Sequence, residues 1–291
     1  MLLWNWSNCC VDSRNMKLYK YHGAGNDFLL ADNRDGRIRL NPEQIRRVCD
    51  RHLGIGSDGL MLLDSSNALD FRMQFFNPDG SSGMMCGNGG RCIAAFAARM
   101  GVEPREGRFE FEAPDGPHTA VFLGGDAGSR VRTVRLKMRD VSGITRYDDE
   151  SAYFLDTGTR HLVKFVTGLS DYPVLSEGRR LRWDPRFAPV GINVNFVETR
   201  DRILRIRTFE KGVEDETLAC GTGIVAAAMA ACYRDIPGTS GSGGSISYTV
   251  QAAVSDLQVD FTPSAEGEPF RATEVWLTGP ATFVAGVEIM L

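Results

Sequence analysis

The chain has 291 residues, with 33 lysines and arginines against 37 aspartates and glutamates, so its formal net charge is −4. Hydrophobic residues make up 43% of the chain, enough for a packed core, which excludes global disorder. The mildly acidic balance argues against nucleic acid or an anionic membrane surface as a partner, and seven cysteines are too few for a disulfide scaffold. We therefore expect one large globular domain or two ordinary ones.

The first residues carry no regular pattern. Residues 1–15 lack a basic region, a continuous apolar stretch and a convincing cleavage site, so they do not read as a secretory signal. Hydrophobic periodicity begins at Met16, and we predict that residues 1–15 are a dispensable extension. Nowhere does the sequence contain the run of about 20 apolar residues that spans a bilayer. These features, with cysteines that show no obvious pairing, favour a location of the protein in the reducing cytoplasm.

Strand-like alternation dominates the chain, with fewer helical signals. Asn41 followed by Pro42 is an N-cap signature and predicts a helix that carries Ile45, Val48 and Cys49 on its apolar face. Two alanine-rich runs predict two more helices, at 91–100 and 225–233. Strands are predicted around 60–63, 71–75, 109–111, 131–138, 193–197 and 203–209.

The glycine-rich segment 54–59 spells G-x-G-x-x-G, the letters of a dinucleotide-binding fingerprint. It follows a predicted helix and enters a predicted strand, whereas the fingerprint requires the opposite order, so we interpret it as a structural turn. The sequence contains no HExxH, CxxC or Walker A pattern. We therefore expect neither a metal nor a nucleotide or pyridoxal phosphate cofactor.

A short motif occurs twice in equivalent surroundings. Cys86-Gly87-Asn88-Gly89 and Cys220-Gly221-Thr222-Gly223 each follow a predicted strand and loop, and each precedes an alanine-rich helix. A fainter repeat relates the glycine turns 25–28 and 158–161. Such self-similarity predicts an α+β fold of two pseudo-symmetric halves, at 16–145 and 146–291, with a cleft between them.

The two repeated cysteines suit acid–base chemistry at carbon. A cysteine just before a helix sees unpaired backbone N–H groups and the positive end of the helix dipole, which is expected to lower its pKa. Two such helix starts facing each other would hold a carboxylate and place one sulfur on each side of the adjoining carbon. By contrast, Cys49, Cys92 and Cys232 lie on apolar helix faces and are interpreted as packing residues, and Cys9 and Cys10 as tail residues.

Together with other motifs along the chain, the two cysteine tetrads resemble those of a known family, the diaminopimelate epimerases. The resemblance covers the chain from about residue 16 to its end and rests on six ordered blocks. They are 22–28 (HGAGNDF), 51–59 (RHLGIGSDG), 77–80 (NPDG), 193–196 (NVNF), 209–217 (FEKGVEDET), and the paired CGNG and CGTG tetrads at Cys86 and Cys220.

Membership of this family implies two domains, each a helix wrapped by strands, with the active site in the cleft between them. It implies a cofactor-independent isomerase that interconverts L,L- and meso-2,6-diaminopimelate in lysine and peptidoglycan precursor biosynthesis. Cys86 and Cys220 would be the catalytic pair, Cys86 acting on the L,L substrate and Cys220 on the meso substrate. The family also implies a set of substrate-binding residues, with His161 in support: Asn26, Asn77, Gly87, Asn88, Thr159, Asn193, Glu210, Lys211, Gly221 and Thr222.

Three positions depart from the family pattern. Arg160 stands where relatives have proline, Lys211 where many have arginine, and Gly59 where some have glutamine. Arg160 leaves open a second hypothesis, a racemase for another amino acid. A non-enzymatic binding module is a third hypothesis, disfavoured because both cysteines are present. Beyond the small-molecule substrate, the partner expected is a second copy of the chain, in a homodimer.

Overall fold

The computed structural model describes residues 15–235, 244–265 and 269–290. The predicted N-terminal extension therefore lies, apart from Asn15, outside the described residues. Among the helices of the described part, none has the length and apolar character needed to cross a membrane.

The described chain forms seventeen strands and four α-helices, with two short 3-10 turns at 169–171 and 185–187. The strands of the first half are Asn15–Gly23 (β1), Asn26–Asp32 (β2), Leu60–Asp64 (β3), Phe71–Phe76 (β4), Arg108–Ala113 (β5), Gly116–Gly124 (β6), Val131–Lys137 (β7), Val141–Ser142 (β8) and Thr145–Tyr147 (β9). Those of the second half are Ala152–Asp156 (β10), Arg160–Phe165 (β11), Asn193–Arg200 (β12), Ile203–Glu210 (β13), Asp215–Thr217 (β14), Ile246–Gln251 (β15), Asp256–Pro263 (β16) and Arg271–Met290 (β17). The helices are Pro42–Cys49 (α1), Gly87–Arg99 (α2), Val174–Arg182 (α3) and Gly221–Asp235 (α4).

The helix predicted after Asn41 is confirmed, with its cap. The Asn41 side chain accepts from the Gln44 amide at 2.9 Å, and the Gln44 side chain accepts from the Asn41 amide at 3.0 Å. Two of the orphan N–H donors of the first turn, those of Asn41 and Gln44, are thus satisfied by a capping box. The two alanine-rich helices are also confirmed, but each begins earlier than predicted, at the glycine after the cysteine.

The strands of the first half close into a ring around α2. β1 pairs with β2, β2 runs parallel to β3, and the order continues through β4, β5, β6 and β7. The last strand, β17, closes the ring because it pairs with β7 at 279–282 and with β1 from Thr282 to Met290. Most of α2 is buried inside this ring.

The second half repeats the same order around α4. β10 pairs with β11, β11 runs parallel to β12, and the order continues through β13, β15, β16 and β17. The parallel and antiparallel pairs follow one another in the same order as in the first ring. α3 corresponds to α1 in chain order, and α4 to α2. The predicted α+β fold with two pseudo-symmetric parts, each a helix wrapped by strands, is confirmed.

The two rings exchange strands. The segment from β7 to β8 runs antiparallel to β17, through pairs at 131–134 and 141–142. Beyond this contact the chain after β8 enters the second ring, where β9 pairs with β10, and the end of β17 enters the first ring. One continuous core cluster contains the apolar residues of both α2 and α4. The division at 145/146 stays a prediction, and the last residues of β17 lie against the first half.

Candidate active site

The two repeated cysteines stand at the first turns of the two central helices. Cys86 is the N-cap of α2, and its sulfur accepts from the Gly89 amide at 3.3 Å. The main chain has the same form at both sites: the Gly90 amide donates to the Cys86 carbonyl at 2.8 Å, and the Ile224 amide donates to the Cys220 carbonyl at 2.9 Å. Each cysteine is therefore followed by a first helical turn whose leading amides have no partner in their own helix.

The two helix starts meet face to face. A Cβ atom built on Gly221 would lie 3.4 Å from the Gly87 Cα, and one built on Gly87 would lie 2.9 Å from the Leu277 side chain of β17. A Cβ atom at Gly221 would thus be in ordinary van der Waals contact with the start of α2, which shows how closely the two backbones approach. The expected juxtaposition of two cysteine-led helix N-termini across the interface of the halves is thus present in the structure.

Both thiols are less acidic than expected. Burial raises the pKa of Cys86, although the Gly89 amide and the Arg91 guanidinium act in the opposite direction. Burial also raises the pKa of Cys220 to about 12, and the negative charge of Glu210 acts in the same direction at both thiols. The expectation that the helix N-termini give a lowered thiol pKa is therefore wrong for this structure, because desolvation outweighs the amides. Both cysteines are free thiols.

Asn26 is held by a turn and an ion-pair cluster. Ala24 and Gly25, both with positive φ, form a two-residue hairpin turn before Asn26, and a side chain at Gly25 would collide with Leu218 of the other half. The Asn26 side chain donates to Asp58 at 2.7 Å, and Arg51 donates to the other Asp58 oxygen at 2.6 Å. Asp58 belongs to the segment 54–59, which lies between α1 and β3 as a turn, as predicted.

Asn88 joins the halves through its side chain. Its amide nitrogen donates to the Ala219 carbonyl at 3.1 Å and lies 3.3 Å from the Asn26 side-chain oxygen, while its oxygen accepts from Arg91 at 2.8 Å. Arg91 is fully buried, and its other donors reach the main-chain carbonyls of Gly87 and Pro280. No carboxylate of the described residues pairs with this guanidinium, so a positive charge stays beside the first turn of α2.

The second half contributes hydroxyls and an imidazole. The hydroxyls of Thr159 and Thr222 lie 3.0 Å apart, and each is near the His161 Nε2 atom, at 2.8 and 3.0 Å respectively. The Thr222 hydroxyl also lies 3.5 Å from the Cys220 sulfur. Burial lowers the pKa of His161 to about 3, so the imidazole is neutral at physiological pH.

Asn193, Glu210 and Lys211 form a third group of the predicted residues. The Asn193 side-chain oxygen accepts from the Lys211 amide at 2.9 Å, and the Lys211 ammonium lies 3.4 Å from the Val190 carbonyl. The Glu210 carboxylate accepts from the Thr217 hydroxyl at 2.7 Å. Burial raises the pKa of Glu210, and the charge of Asp58 from the first half of the chain adds to this effect.

Asn77 is the predicted residue that the structure does not join to the others. Its side-chain nitrogen donates to Ser81 at 3.0 Å and to the Ser82 carbonyl at 3.3 Å, both within its own turn. The remaining predicted residues lie around the meeting point of α2 and α4 or along the facing ends of β11, β12 and β13. Their roles in binding and catalysis stay predictions.

Sequence reasoning missed the residues that hold this group in place: Arg51, Asp58, Arg91, Asn195 and Thr208. The signal for Asn195 was present, since a polar side chain inside the apolar strand 193–197 must find partners in the core. Arg91, in an alanine-rich helix, carried the same signal. Asp58 gave none, because its contact with Asn26 depends on two turns distant in the sequence.

The fold is shared with solved structures of low sequence identity. A Bacillus anthracis phenazine biosynthesis protein of the PhzF family superposes with a TM-score of 0.70 at 16% identity, covering 96% of this chain and 100% of that one. A hydroxyproline epimerase from Agrobacterium vitis superposes with a TM-score of 0.64 at 17% identity, covering 99% and 94%. The fold therefore belongs to the structural class that these proteins share.

Sequence comparison identifies the family, within this structural class, to which the chain belongs. A profile of the family described as diaminopimelate epimerase matches residues 18–126 and 153–258. The diaminopimelate epimerase of Flavobacterium psychrophilum is 39% identical over 92% of this chain and 98% of its own length. That of Nitrosospira multiformis is 34% identical over 95% and 99%. The chain belongs to the diaminopimelate epimerase family, whose members are isomerases.

Proposed function

We propose that this protein interconverts L,L- and meso-2,6-diaminopimelate without a cofactor, by proton transfer between Cys86 and Cys220. The observation that carries the proposal is the contact of Gly87 with Gly221, which brings two cysteine-led helix starts together. The substrate is inferred from the name shared by the relatives, and with it a role in lysine and peptidoglycan precursor biosynthesis. A cytoplasmic location stays a prediction.

The chemistry requires one thiolate and one thiol on opposite faces of the α-carbon. The thiolate takes the α-proton, and the thiol opposite gives its own proton to the other face, so that each sulfur exchanges its protonation state in one turnover. In the direction implied by the resemblance, Cys86 takes the proton from the L,L isomer and Cys220 takes it from the meso isomer. Amides at the starts of α2 and α4 would hold the α-carboxylate as charge develops on it.

The raised thiol pKa values have a place in this mechanism. The carboxylate of Glu210 is one reason why the thiolate of either cysteine is disfavoured. A substrate ammonium beside Glu210 would neutralise that charge and so lower the pKa of both thiols. Substrate binding would then itself generate the thiolate. Lys211 and the Asn193 amide would face the distal carboxylate and amine.

The position of Arg160 weighs against the racemase hypothesis. Its guanidinium lies over the Phe154 ring, 5.7 Å from the centroid, on the side of β11 away from Thr159 and His161. The replacement of the family's proline by Arg160 therefore changes the face of β11 that packs on Phe154. It does not change the side chains that Thr159 and His161 present to the proposed substrate. A different amino acid substrate has no other support in the described residues.

The test is deuterium incorporation at the α-carbon in D2O, measured by mass spectrometry for both diaminopimelate isomers and for simple amino acids such as lysine. We expect exchange with diaminopimelate, and its loss in Cys86→Ala and Cys220→Ala. Cys92→Ala is the matched control, since Cys92 lies on the same helix as Cys86 but inside the core. Exchange should persist in that variant even where stability falls.

Two outcomes would overturn the proposal. Exchange that is faster with a simple amino acid than with diaminopimelate would reject the substrate. Full activity in either cysteine variant at the helix starts would reject the two-base mechanism.

A further inference from the structure

Two buried polar residues outside the predicted site lie directly behind His161. Asn195 on β12 pairs in register with Thr208 on β13, and both side chains are buried. Neither touches the cleft. A buried amide and hydroxyl in a strand core are costly unless their hydrogen bonds are complete, and here the bonds lead toward the cleft.

The orientation of the Asn195 amide is fixed by its neighbours. Its nitrogen lies 3.2 Å from the Leu162 carbonyl, which can only accept a hydrogen bond. Its oxygen accepts from the Thr208 hydroxyl at 3.0 Å. The flipped amide would place oxygen against oxygen at Leu162, so the nitrogen must be the atom that faces His161.

This orientation selects one tautomer of the imidazole. The Asn195 nitrogen lies 3.1 Å from the His161 Nδ1 atom and donates to it. A neutral imidazole has one N–H, so when Nδ1 accepts, the proton is on Nε2. That N–H is then shared between the hydroxyls of Thr159 and Thr222, at 2.8 and 3.0 Å.

The donor direction continues to the sulfur. The Thr222 oxygen can accept from His161 and also from the Thr159 hydroxyl, 3.0 Å away; in that arrangement its own proton points to the Cys220 sulfur, 3.5 Å away. The packing leaves no room for variation at the next residue: a Cβ atom on Gly223 would lie within van der Waals overlap of the Asn195 side-chain oxygen and 3.3 Å from the His161 ring. The start of α4 is thus fitted directly against the Asn195–His161 pair.

We propose that Asn195 and Thr208 are positioning residues, which hold His161 as the Nε2–H tautomer so that the Thr222 hydroxyl donates to the Cys220 thiolate. The inference rests on the proposed role of Cys220 as one of the two bases, and goes beyond it by assigning how that thiolate is stabilised. The groups that act on the same sulfur are Glu210, the Gly223 amide and the Cys86 thiol. This series of hydrogen bonds, from Thr208 through Asn195 and His161 to Thr222, has no counterpart at Cys86 among the described residues. The Cys86 thiol is instead influenced by the positive charge of Arg91.

The tautomer is measured by long-range ¹H–¹⁵N NMR of the four histidines, with His161 assigned by the signals missing in His161→Gln. We expect an unprotonated Nδ1 and a protonated Nε2 in the unsubstituted protein. Asn195→Asp replaces the donor by a carboxylate that only accepts, so we expect the proton to move to Nδ1.

The effect on the sulfur is measured by the rate of alkylation at each cysteine, followed by mass mapping. In Asn195→Asp the reversed tautomer would turn the Thr222 hydroxyl toward Nε2 and away from the sulfur. The alkylation rates are compared at one fixed pH below both thiol pKa values, where the rate follows the thiolate fraction. We expect the rate at Cys220 to fall about tenfold more than that at Cys86, since a lost hydrogen bond to a charged group has this size. Cys86 serves as the internal measure of the added negative charge.

Thr199→Val is the matched control. Thr199 is on the same strand as Asn195, and its hydroxyl is buried without a hydrogen-bond partner among the described residues. We expect this variant to change neither the NMR spectrum of the histidines nor the alkylation rates of the two cysteines. Thr208→Val provides a second test should Asn195→Asp not fold, with a smaller fall in the alkylation rate at Cys220.

A proton on Nδ1 in the unsubstituted protein would overturn the inference, and so would equal changes in the alkylation rates of both cysteines in Asn195→Asp. These measurements use the protein without diaminopimelate. Failure of isotope exchange would therefore reject the proposed function and leave the tautomer result intact. A wrong tautomer would reject this inference and leave the proposed function intact.

Discussion

Single residues at the site show how burial competes with local structure. The repeated tetrads were sufficient to predict Cys86 and Cys220 as a pair, because a helix start is encoded within a few residues. Their raised pKa values depend on burial by the folded chain and on the charge of Glu210, which is distant from Cys86 in the sequence. Thiol position was thus predictable from the sequence, whereas thiol acidity was not.

The buried neutral His161 makes the free energy of unfolding depend on pH. Its pKa is lowered from 6.5 to about 3 in the folded protein, so the unfolded chain binds a proton at a pH where the folded chain does not. Stability from this group is therefore full above about pH 6.5 and is lost as the pH falls toward 3. We expect urea unfolding to show that the stability difference between the unsubstituted protein and His161→Gln shrinks progressively on acidification. A difference that stays constant with pH would show that His161 is not the titrating group.

At the scale of elements, local signals predicted some helices and not others. α1 carries an asparagine cap, a proline at its first position and an apolar face within eight residues. α3 begins after Pro173 without a side-chain cap, has Gly178 in its interior and is rich in arginine. That glycine is required because a side chain there would collide with Phe209 of β13, a contact that only the folded chain reveals. Elements defined by tertiary packing were the ones missed.

The capping box of α1 provides a prediction in which the stability of the protein changes but its activity does not. Asn41→Ala removes the hydrogen bond from the Gln44 amide to the Asn41 side chain, at a cost of about 1 kcal/mol in the free energy of unfolding. The helix buries Ile45, Val48 and Cys49 against β1 to β3, away from the facing starts of α2 and α4. We expect thermal denaturation to show a melting temperature lower by about 2 °C, with deuterium exchange retained. Loss of exchange in the folded variant would show that α1 also positions the site.

For the molecule as a whole, the internal repeat predicted two related parts and a site between them. It did not predict that β17 belongs to both rings, because strand pairing between the two ends of a chain leaves no local pattern. The same reason explains why the contacts of Asp58 with Asn26 and of Asn195 with His161 were not predicted, although the polar Asn195 in an apolar strand was itself a signal.

The last part of β17 provides a prediction about the integrity of the first ring. Deleting residues from 283 onward removes the partner of β1, whose Leu18 is fully buried opposite Val287. An open edge of this length lacks its hydrogen bonds and invites association with other chains. We expect loss of cooperative thermal unfolding and aggregation on size-exclusion chromatography. Val284→Thr is the matched control, since that side chain is about half exposed and its replacement should leave both properties unchanged.

The exchange of strands between the rings also bears on the descent of the chain. A gene that encoded one half alone would give a protein with an unclosed ring, and two identical copies could close each other by swapping this strand. Such an ancestral dimer would already have held two identical cysteines across its twofold axis. Duplication and fusion of such a gene would have allowed each half to diverge; five residues after the cysteine, the first half has the buried Arg91 where the second has Val225.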